Sequence, residues 1–270
     1  MKVYVSADIE GVTGVNHWDE ADKKSSDFDE YREQMTAEVV GACEGALNAG
    51  AEDIWVQDAH ATARNIIASK LPQEVRFIRG WSGHPFSMVQ YLDESFNALI
   101  MIGYHSRAGS GDNPLAHTIT GRVARIKIND QYASEFLLHA YAAALVNVPV
   151  VLISGDAGLC EKVKSYNPHI LTVPVKHGAG NSTVSIHPLL AVEQIREGAQ
   201  KALEGDISKC KIDLPEHFSV AITYKDHPNA YHSSFYPGAS LKEPHTIEFG
   251  SDDYFEVLRF IAFVVLSAPV

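Results

Sequence analysis

Cysteine is scarce in this sequence. Its three copies, Cys43, Cys160 and Cys210, are odd in number, lie far apart and form no CxxC pair. A disulfide framework and a cysteine-ligated zinc site both need paired or closely spaced cysteines, so neither is indicated. We therefore expect three small, buried apolar side chains in a reducing compartment, and we predict a cytoplasmic protein.

Basic residues and long apolar runs are scarce too. The chain has 270 residues, with 22 Lys and Arg against 34 Asp and Glu, which gives a formal net charge of −12. Nucleic-acid binding depends on positive charge, so we predict no nucleic-acid partner. No apolar run approaches the roughly 20 residues that a membrane-crossing helix needs. The first residues, MKVYVSADIE, also lack the apolar core of a signal peptide. We predict a soluble protein with no membrane partner.

What the sequence does have is an alternation of strand-like and helix-like segments. Residues 2–8 alternate as a strand does, residues 34–49 have helical spacing ended by Gly50, and residues 53–60 return to a strand. The later predicted segments are strands over 75–79, 97–104 and 148–155, a helical piece over 85–95, a tight turn at Asn129-Asp130, and helices over 135–147 and 189–203. Such alternation is typical of βαβ units. It predicts an α/β fold with a largely parallel central sheet flanked by helices.

The pattern changes after about residue 190. Two strand-like segments, 217–225 and 244–251, are followed by a long amphipathic helix over 252–268. No Pro-rich or Ser-rich linker marks a join. We predict an α/β domain over residues 1–190 and a smaller C-terminal α+β domain over residues 191–270.

Acidic and histidine side chains follow the ends of three predicted strands. Asp8 and Glu10 end the first strand, Asp58 and His60 the second, and His105 a later one. Ligands of open α/β sheets bind beyond the carboxyl ends of the strands, and residues two apart in a strand project from one face. Taken singly, each residue could be a helix cap or a loop histidine. Two carboxylates held together repel unless a cation lies between them, so the set as a whole favours a metal site.

The residue types in this set indicate which metals the site would hold. Oxygen and imidazole ligands without thiolate suit zinc, and also manganese, iron or cobalt. One carboxylate can bridge two ions, as in two-metal hydrolases, and such a site needs about five protein ligands. Asp8, Glu10, His60 and His105 supply four, and Glu135, which opens a predicted helix, is the candidate fifth. All five fall in the first predicted domain, which is therefore the predicted metal-binding catalytic domain.

A series of short motifs runs in order along the first half of the chain. The motifs are SADIEGVTG at 6–14, QDAH at 57–60, HPFSMV at 84–89, GYHSRAG at 103–109, AHT at 116–118 and NDQYASE at 129–135. In these motifs the chain resembles the M55 peptidase family, the D-aminopeptidases. GDAG and VPVKHGAG continue the likeness beyond residue 150, so it covers the chain in outline and is residue-specific mainly before residue 180.

The resemblance implies a two-zinc aminopeptidase, a hydrolase with two divalent ions in each subunit. The bridging aspartate of the family matches Asp8. The likeness then implies that Glu10 and His60 complete the ligands of one ion, and that His105 and Glu135 complete those of the other.

The resemblance also implies a catalytic role for His117, the histidine of AHT, variously as nucleophile or as proton-transfer group. We prefer general base or acid, because a two-metal site already activates water near neutral pH. The family likeness alone implies short peptide substrates that contain D-amino acids, such as D-Ala-D-Ala. It also implies a homo-oligomer, a decamer of two stacked pentameric rings.

Three further polar residues are candidates for supporting roles. Asp58 could accept the free N–H of a ligand histidine. Arg107 and Lys176 could bind the carboxylate of the peptide, Arg as a two-pronged donor and Lys as a point charge. A structural ion pair is the alternative for Arg107 and for Lys176.

Two other functions are open from the sequence. The ligand set is indifferent to the leaving group, so another two-metal hydrolase, an amidohydrolase or a phosphatase, would use it equally well. A non-catalytic metal-binding or peptide-binding protein could keep the same fold, although the presence of His117 beside five ligand-type residues counts against it.

Overall fold

A computed structural model describes residues 1–266 of the chain. Its strands are β1 (Lys2–Ala7), β2 (Asp53–Asp58), β3 (Val75–Ile78), β4 (Ala98–Tyr104), β5 (Val123–Ile128), β6 (Gln131–Tyr132), β7 (Val150–Asp156), β8 (Leu171–Ala179), β9 (Ser182–Ser185), β10 (Phe218–Tyr224), β11 (Ser240–Glu243) and β12 (Thr246–Ser251). Its α-helices are α1 (Trp18–Ala21), α2 (Phe28–Asn48), α3 (Glu135–Leu145), α4 (Ala157–Tyr166), α5 (Pro188–Glu204), α6 (His227–Ser233) and α7 (Tyr254–Ile261). Within residues 1–266, no helix combines the length and the apolar character that crossing a membrane requires.

The larger sheet has seven strands in the order β3-β2-β1-β4-β7-β8-β9. Every neighbouring pair is parallel except β8 and β9. Strands β4 and β7 are buried along their whole length, as expected when helices cover both faces of a parallel sheet. Helices α2 and α5 pack against each other, and α4 packs against β7 and β8. The predicted α/β class with a largely parallel sheet is confirmed.

The smaller sheet has five strands in the order β11-β12-β10-β5-β6, and every pair in it is antiparallel. Strands β5 and β6 come from before residue 190, and the other three come from after it. Helix α5 spans residue 190 and packs against β7 and β8 of the larger sheet. The division of the chain into domains at residue 190 stays a prediction.

The turn between β5 and β6 agrees with its sequence signal. Asn129 and Asp130 have φ of 48° and 64°, which is the left-handed pair that a two-residue hairpin turn needs. The helical piece predicted over 85–95 is wrong, because the chain forms only a 3-10 turn at Ser87–Val89 there. Ser87 and Tyr91 have φ of 44° and 69°, and a right-handed helix cannot pass through such residues.

The C-terminal helix is shorter than its apolar pattern predicts. Helix α7 ends at Ile261, and the chain continues as a π-helical turn over Ala262–Leu266. Residues 267 and 268 of the predicted helix lie outside the described residues. Single π-helical turns are often found at functional sites, and this one reaches the cavity described below.

The chain that leaves β1 passes so close to β4 that position 11 has no room for a side chain. The Gly11 N–H donates to the Gly103 carbonyl at 2.8 Å. A Cβ added to Gly11 would lie 1.8 Å from the carbonyl oxygen of Tyr104. Glycine is therefore required for this contact, which fixes the path of the chain immediately after Glu10.

Replacing Gly11 with Ala should lower the free energy of unfolding by about 3 kcal/mol or more, because two backbone segments must move apart to admit the methyl group. Urea unfolding followed by circular dichroism measures this loss. Gly111→Ala is the matched control, since a Cβ at this exposed glycine meets nothing within 4 Å, and it should change stability by less than about 0.5 kcal/mol. Equal stability of the two variants would contradict the close contact.

Candidate metal centre

The sheet register brings the predicted ligand residues to one edge of the larger sheet. The carboxyl end of β1 lies level with the carboxyl ends of β2 and β4, so the residues that follow these strands meet. The first residue of α3 joins them. The side chains gathered in this way, all of them buried, are Asp8, Glu10, His60, His105 and Glu135.

Asp8 occupies the middle of this group. Its Oδ1 lies 3.2 Å from His60 Nδ1, and its Oδ2 lies 3.6 Å from His105 Nε2. Glu10 adds a carboxylate on the first side, with Oε2 3.1 Å from His60 Nδ1. Glu135 adds one on the second side, with Oε2 3.3 Å from His105 Nε2. The two oxygens of Asp8 therefore face two separate imidazoles, each of which has a carboxylate of its own.

Three histidines of the site are oriented by the backbone. His60 Nε2 lies 2.8 Å from the Ala21 carbonyl, and His105 Nδ1 lies 2.9 Å from the Ser106 carbonyl. His117 Nδ1 lies 2.9 Å from the carbonyl oxygen two residues before it. A carbonyl oxygen only accepts, so each of these nitrogens carries the proton of the neutral ring. The other nitrogen of each ring then presents a lone pair to the carboxylates, which is the usual arrangement of metal-binding histidines.

Two atoms of the group are buried without a hydrogen-bond partner, Glu10 Oε2 and His105 Nε2. Buried polar atoms of folded proteins nearly always have a partner. While the rings are neutral, with their proton held by the backbone, the contacts between imidazole and carboxylate in this group bring lone pairs together. A divalent cation would satisfy these atoms, so the residues fit a metal ion.

The burial of three carboxylates in one place changes their ionisation. Burial, and then the negative charge of Glu10, raise the pKa of Asp8 well above its usual range. Burial also acts to raise the pKa of Glu135, but a protonated His105, through its charge and the hydrogen bond that it can then donate, outweighs burial and lowers that pKa to about 2. Burial acts to lower the pKa of His105, but Glu135 and the other carboxylates raise it to about 10. Such a cluster needs compensating positive charge, from protons on histidine or from bound cations.

His117 lies at the boundary between this group and solvent. Its ring stacks on that of His105 with centroids 4.4 Å apart, and the ring of Trp18 meets it edge-on at 5.3 Å. Its Nε2 lies 3.6 Å from Glu135 Oε1 and 4.0 Å from Glu10 Oε1. The side chain of His117 is 13% exposed, whereas that of His105 is wholly buried. His117 is therefore the site histidine of this stacked pair that a substrate can reach.

A cavity of about 560 Å³ opens above the carboxylates. Its floor includes Glu10 and Glu135, and its walls include Trp18 and Trp81, which are 46% and 41% exposed. Pockets of this size hold small organic ligands.

A strained turn at Ile119 fixes Glu135. The Thr120 N–H donates to the Thr118 carbonyl at 2.7 Å, which closes a three-residue turn around Ile119 with φ of 66°. This positive-φ γ-turn is rare, and a β-branched residue seldom occupies it. Its result is that the Ile119 N–H donates to Glu135 Oε1 at 2.6 Å. Backbone strain of this kind tends to occur at functional sites.

Comparison with known proteins identifies the family of this chain. A family model described as Peptidase M55, D-aminopeptidase, matches residues 1–263. The chain belongs to the M55 peptidase family. The D-aminopeptidase of Bacillus subtilis (strain 168) is 29% identical over 261 residues, which are 96% of this chain and 94% of that protein. The solved structure of the Zn-dependent D-aminopeptidase DppA from Bacillus subtilis, described as a self-compartmentalizing protease, matches with a TM-score of 0.91 and 27% identity over 98% of this chain and 97% of that one.

Membership of the M55 family confirms the resemblance seen in the sequence motifs. It makes this chain a metallo-aminopeptidase, a hydrolase. The DppA structure shares its α/β fold over nearly the full length of both chains.

Asp58 supports the loop that carries His60. Its carboxylate accepts from the backbone N–H and the side-chain amide of Asn65 at 2.5 and 2.8 Å, and from the Ile66 N–H at 2.8 Å. The Asn65 amide also donates to the His60 carbonyl at 2.7 Å. The prediction that Asp58 accepts from a ligand imidazole is therefore wrong. Its carboxylate oxygens accept instead from Asn65 and Ile66 of the loop that follows His60.

Lys176 and Arg107 lie away from the cavity. Lys176 is buried, and its Nζ donates to the carbonyls of Glu10 and Val15 at 2.5 and 2.6 Å. Burial lowers the pKa of Lys176 to about 8. The Arg107 guanidinium donates to the Ala108 carbonyl at 2.7 Å and stacks over the ring of Tyr132 at 4.1 Å. Neither side chain is placed to bind the carboxylate of a peptide in the cavity, and Lys176 instead braces the chain that carries Glu10.

Several cavity residues carry no sequence signal of their own. Trp18, Trp81 and Ile119 have no strand-end position and no ligand chemistry, and long-range packing places them at the site. The motif HPFSMV at 84–89 was the one available indication, since His84, Ser87 and Met88 all line the cavity.

Proposed function

We propose that this M55 family member is a two-zinc D-aminopeptidase that releases the N-terminal residue of short peptides. The resemblance to the family makes D-Ala-D-Ala the reference substrate. The observation that carries the proposal is the position of Asp8, whose two oxygens face two histidines that each have a second carboxylate beside them.

The ligand atoms suggest how the ions would divide the residues. Asp8, Glu10 and His60 would hold one ion, and Asp8, His105 and Glu135 the other. When bound, the pair of ions supplies polarisation of the scissile carbonyl and activation of water. Zinc suits this mixture of oxygen and imidazole ligands, and the DppA relative is described as Zn-dependent.

His117 is proposed to transfer the proton that the leaving amine needs. Its Nδ1–H is held by the Leu115 carbonyl, which leaves Nε2 free to accept and return a proton at the cavity. A general acid or base of this kind needs only to lie within hydrogen-bond reach of the reacting group.

The shape of the cavity supports attack at the N-terminus of the peptide. The ligand residues Glu10 and Glu135 lie buried, whereas Trp18 and Trp81 line the cavity and are 46% and 41% exposed. A peptide that enters with its N-terminus first presents its first peptide bond to the ligand residues and keeps the rest of its chain towards the opening, which suits an aminopeptidase.

The assembly and the location of the protein are proposed from its relatives and its composition. The DppA relative is described as self-compartmentalizing, and we propose a homo-oligomer here, a decamer of two stacked pentameric rings. Light scattering of the purified protein measures the number of subunits.

We propose a cytoplasmic location from the three free cysteines, and fractionation of cells tests it.

Purified protein should contain about two zinc ions per chain and release D-alanine from D-Ala-D-Ala. Removal of metal with a chelator should abolish the release, and zinc should restore it. Mass spectrometry of the metal content and chromatography of the products measure both. L-Ala-L-Ala and p-nitrophenyl phosphate are the comparison substrates. A metal-replete protein that cleaves neither aminoacyl series would refute the proposal, and cleavage of the phosphate ester alone would replace it with a phosphatase.

A further inference from the structure

Two tryptophans are exposed on the wall of the cavity. Trp18 and Trp81 are 46% and 41% exposed, and both line the cavity above the carboxylates. The third tryptophan, Trp55, is half-buried and lies outside the cavity. Its ring packs against Phe96, and the charged groups of Lys2 and Arg76 lie over it. Exposed indole next to a cavity has a cost in water and marks a binding surface for apolar groups.

Both indoles are attached to fixed backbone. Trp81 Nε1 donates to the Ala61 carbonyl at 2.8 Å, so its polar atom is satisfied and its apolar ring remains available. Trp18 opens the single turn α1, which a capping box of His17 and Glu20 holds at its start. Little side-chain or loop entropy is lost when a ligand meets such rings, which favours binding.

The rest of the cavity separates into a charged end and an apolar end. The carboxylates Glu10 and Glu135 lie at the buried end, whereas Trp18, Trp81 and Leu266 lie at the exposed end, where Leu266 is 47% exposed. A peptide whose first peptide bond lies at these ligand residues must direct its remaining residues towards the exposed end. The tryptophans therefore meet the residue on the leaving side of the scissile bond.

We infer that Trp18 and Trp81 are specificity-determining residues that select peptides with a large apolar or aromatic side chain in the second position. The inference rests on the proposed aminopeptidase function and refines its substrate. D-Ala-D-Ala fills little of a 560 Å³ cavity, and burial of an aromatic ring against the exposed indoles adds binding energy that an alanine methyl group cannot supply.

The test compares D-Ala-D-Ala, D-Ala-D-Leu and D-Ala-D-Phe with D-Phe-D-Ala, using zinc-loaded full-length protein. We expect kcat/KM to rise at least about tenfold from D-Ala-D-Ala to D-Ala-D-Phe, mainly through a lower KM. D-Phe-D-Ala should lack this gain. A flat series, or a gain for D-Phe-D-Ala instead, overturns the inference and leaves the aminopeptidase function standing. Failure to cleave any of the four peptides refutes the proposed function itself.

Variants identify the residues responsible. Trp18→Ala and Trp81→Ala should each lower the ratio of kcat/KM for D-Ala-D-Phe to kcat/KM for D-Ala-D-Ala by at least about fivefold, and Trp81→Phe should restore part of that ratio. Tyr91→Ala is the matched control, since Tyr91 is a 57% exposed aromatic residue outside the cavity wall. A merely structural role would lower kcat/KM for all peptides alike. A variant that changes the subunit number in light scattering, and not the ratio between peptides, would assign the tryptophans to a subunit contact and overturn the inference.

Discussion

Replacing His117 with Ala is expected to lower kcat by at least about 100-fold while the zinc content stays unchanged. The reason is the position of this ring, which is the reachable member of the His105–His117 stack and keeps Nε2 free at the cavity. Loss of a proton-transfer group affects the chemical step and leaves the five metal-ligand residues in place. Single-turnover kinetics and metal analysis of the same preparation measure the two quantities.

The control for this experiment is His232→Ala, because His232 lies exposed on α6 away from the cavity. It should retain full turnover. The alternative role of His117 is that of a metal ligand, since ligand atoms of His105, His117 and Glu135 lie within 4.8 Å of one another. Loss of one ion from the His117→Ala protein would support that role and contradict ours.

Replacing Asp8 with Asn is expected to empty both metal positions and abolish activity, because the two oxygens of Asp8 lie 3.2 Å from His60 and 3.6 Å from His105. The amide has no charge with which to hold two cations, and its nitrogen cannot serve as a ligand. Glu10→Gln is the matched control. It should lose only one ion, since Glu10 Oε2 lies 3.1 Å from His60 Nδ1 and Glu10 is assigned to the ion that His60 would hold. Retention of one ion by the Asp8→Asn protein would refute the bridging role.

The same substitution should have opposite effects on stability with and without metal. Burial and the charge of Glu10 raise the pKa of Asp8. Asp8 therefore ionises more easily in the unfolded chain than in the folded apoprotein. At neutral pH this difference lowers the free energy of unfolding of the apoprotein. Asn removes that cost, so the Asp8→Asn apoprotein should unfold at a higher temperature than the wild-type apoprotein. With excess zinc the order should reverse, because only the wild type gains stability from bound ions. Scanning calorimetry in chelator and in zinc measures both states.

The grouping of metal-ligand residues at one edge of the larger sheet could be predicted, because the end of a strand can be recognised from the local sequence. Polar side chains stand where apolar strand segments end, at Asp8, Glu10 and His60. Such side chains are unusual in a buried parallel sheet, and the register of the strands places them together. The Asn129-Asp130 turn was equally visible, because few residue pairs adopt two successive left-handed conformations.

The remaining features depend on contacts between distant residues. The predicted helix over 85–95 failed because Ser87 and Tyr91 take left-handed backbone that their residue types do not favour. Lys176 looked like a substrate-binding cation, but the packing of β8 buries it beneath Glu10. Trp18 and Trp81 reach the cavity through α1 and through the chain after β3, whose positions are fixed by tertiary structure rather than by local pattern.

Strand β5 pairs on one side with the two-residue β6 and on the other with β10, about ninety residues further along the chain. During synthesis, residues 1–179 can assemble the six parallel strands β1, β2, β3, β4, β7 and β8 of the larger sheet while β5 still lacks its main partner. The β5–β6 hairpin joins the segment of His117 to Glu135, so this half of the site gains its final support only after residue 224 has left the ribosome. The half of the site formed by Asp8, Glu10 and His60 has no such delay. The nascent chain therefore completes one half of its ligand set well before the other, and it becomes capable of hydrolysis only late in its synthesis.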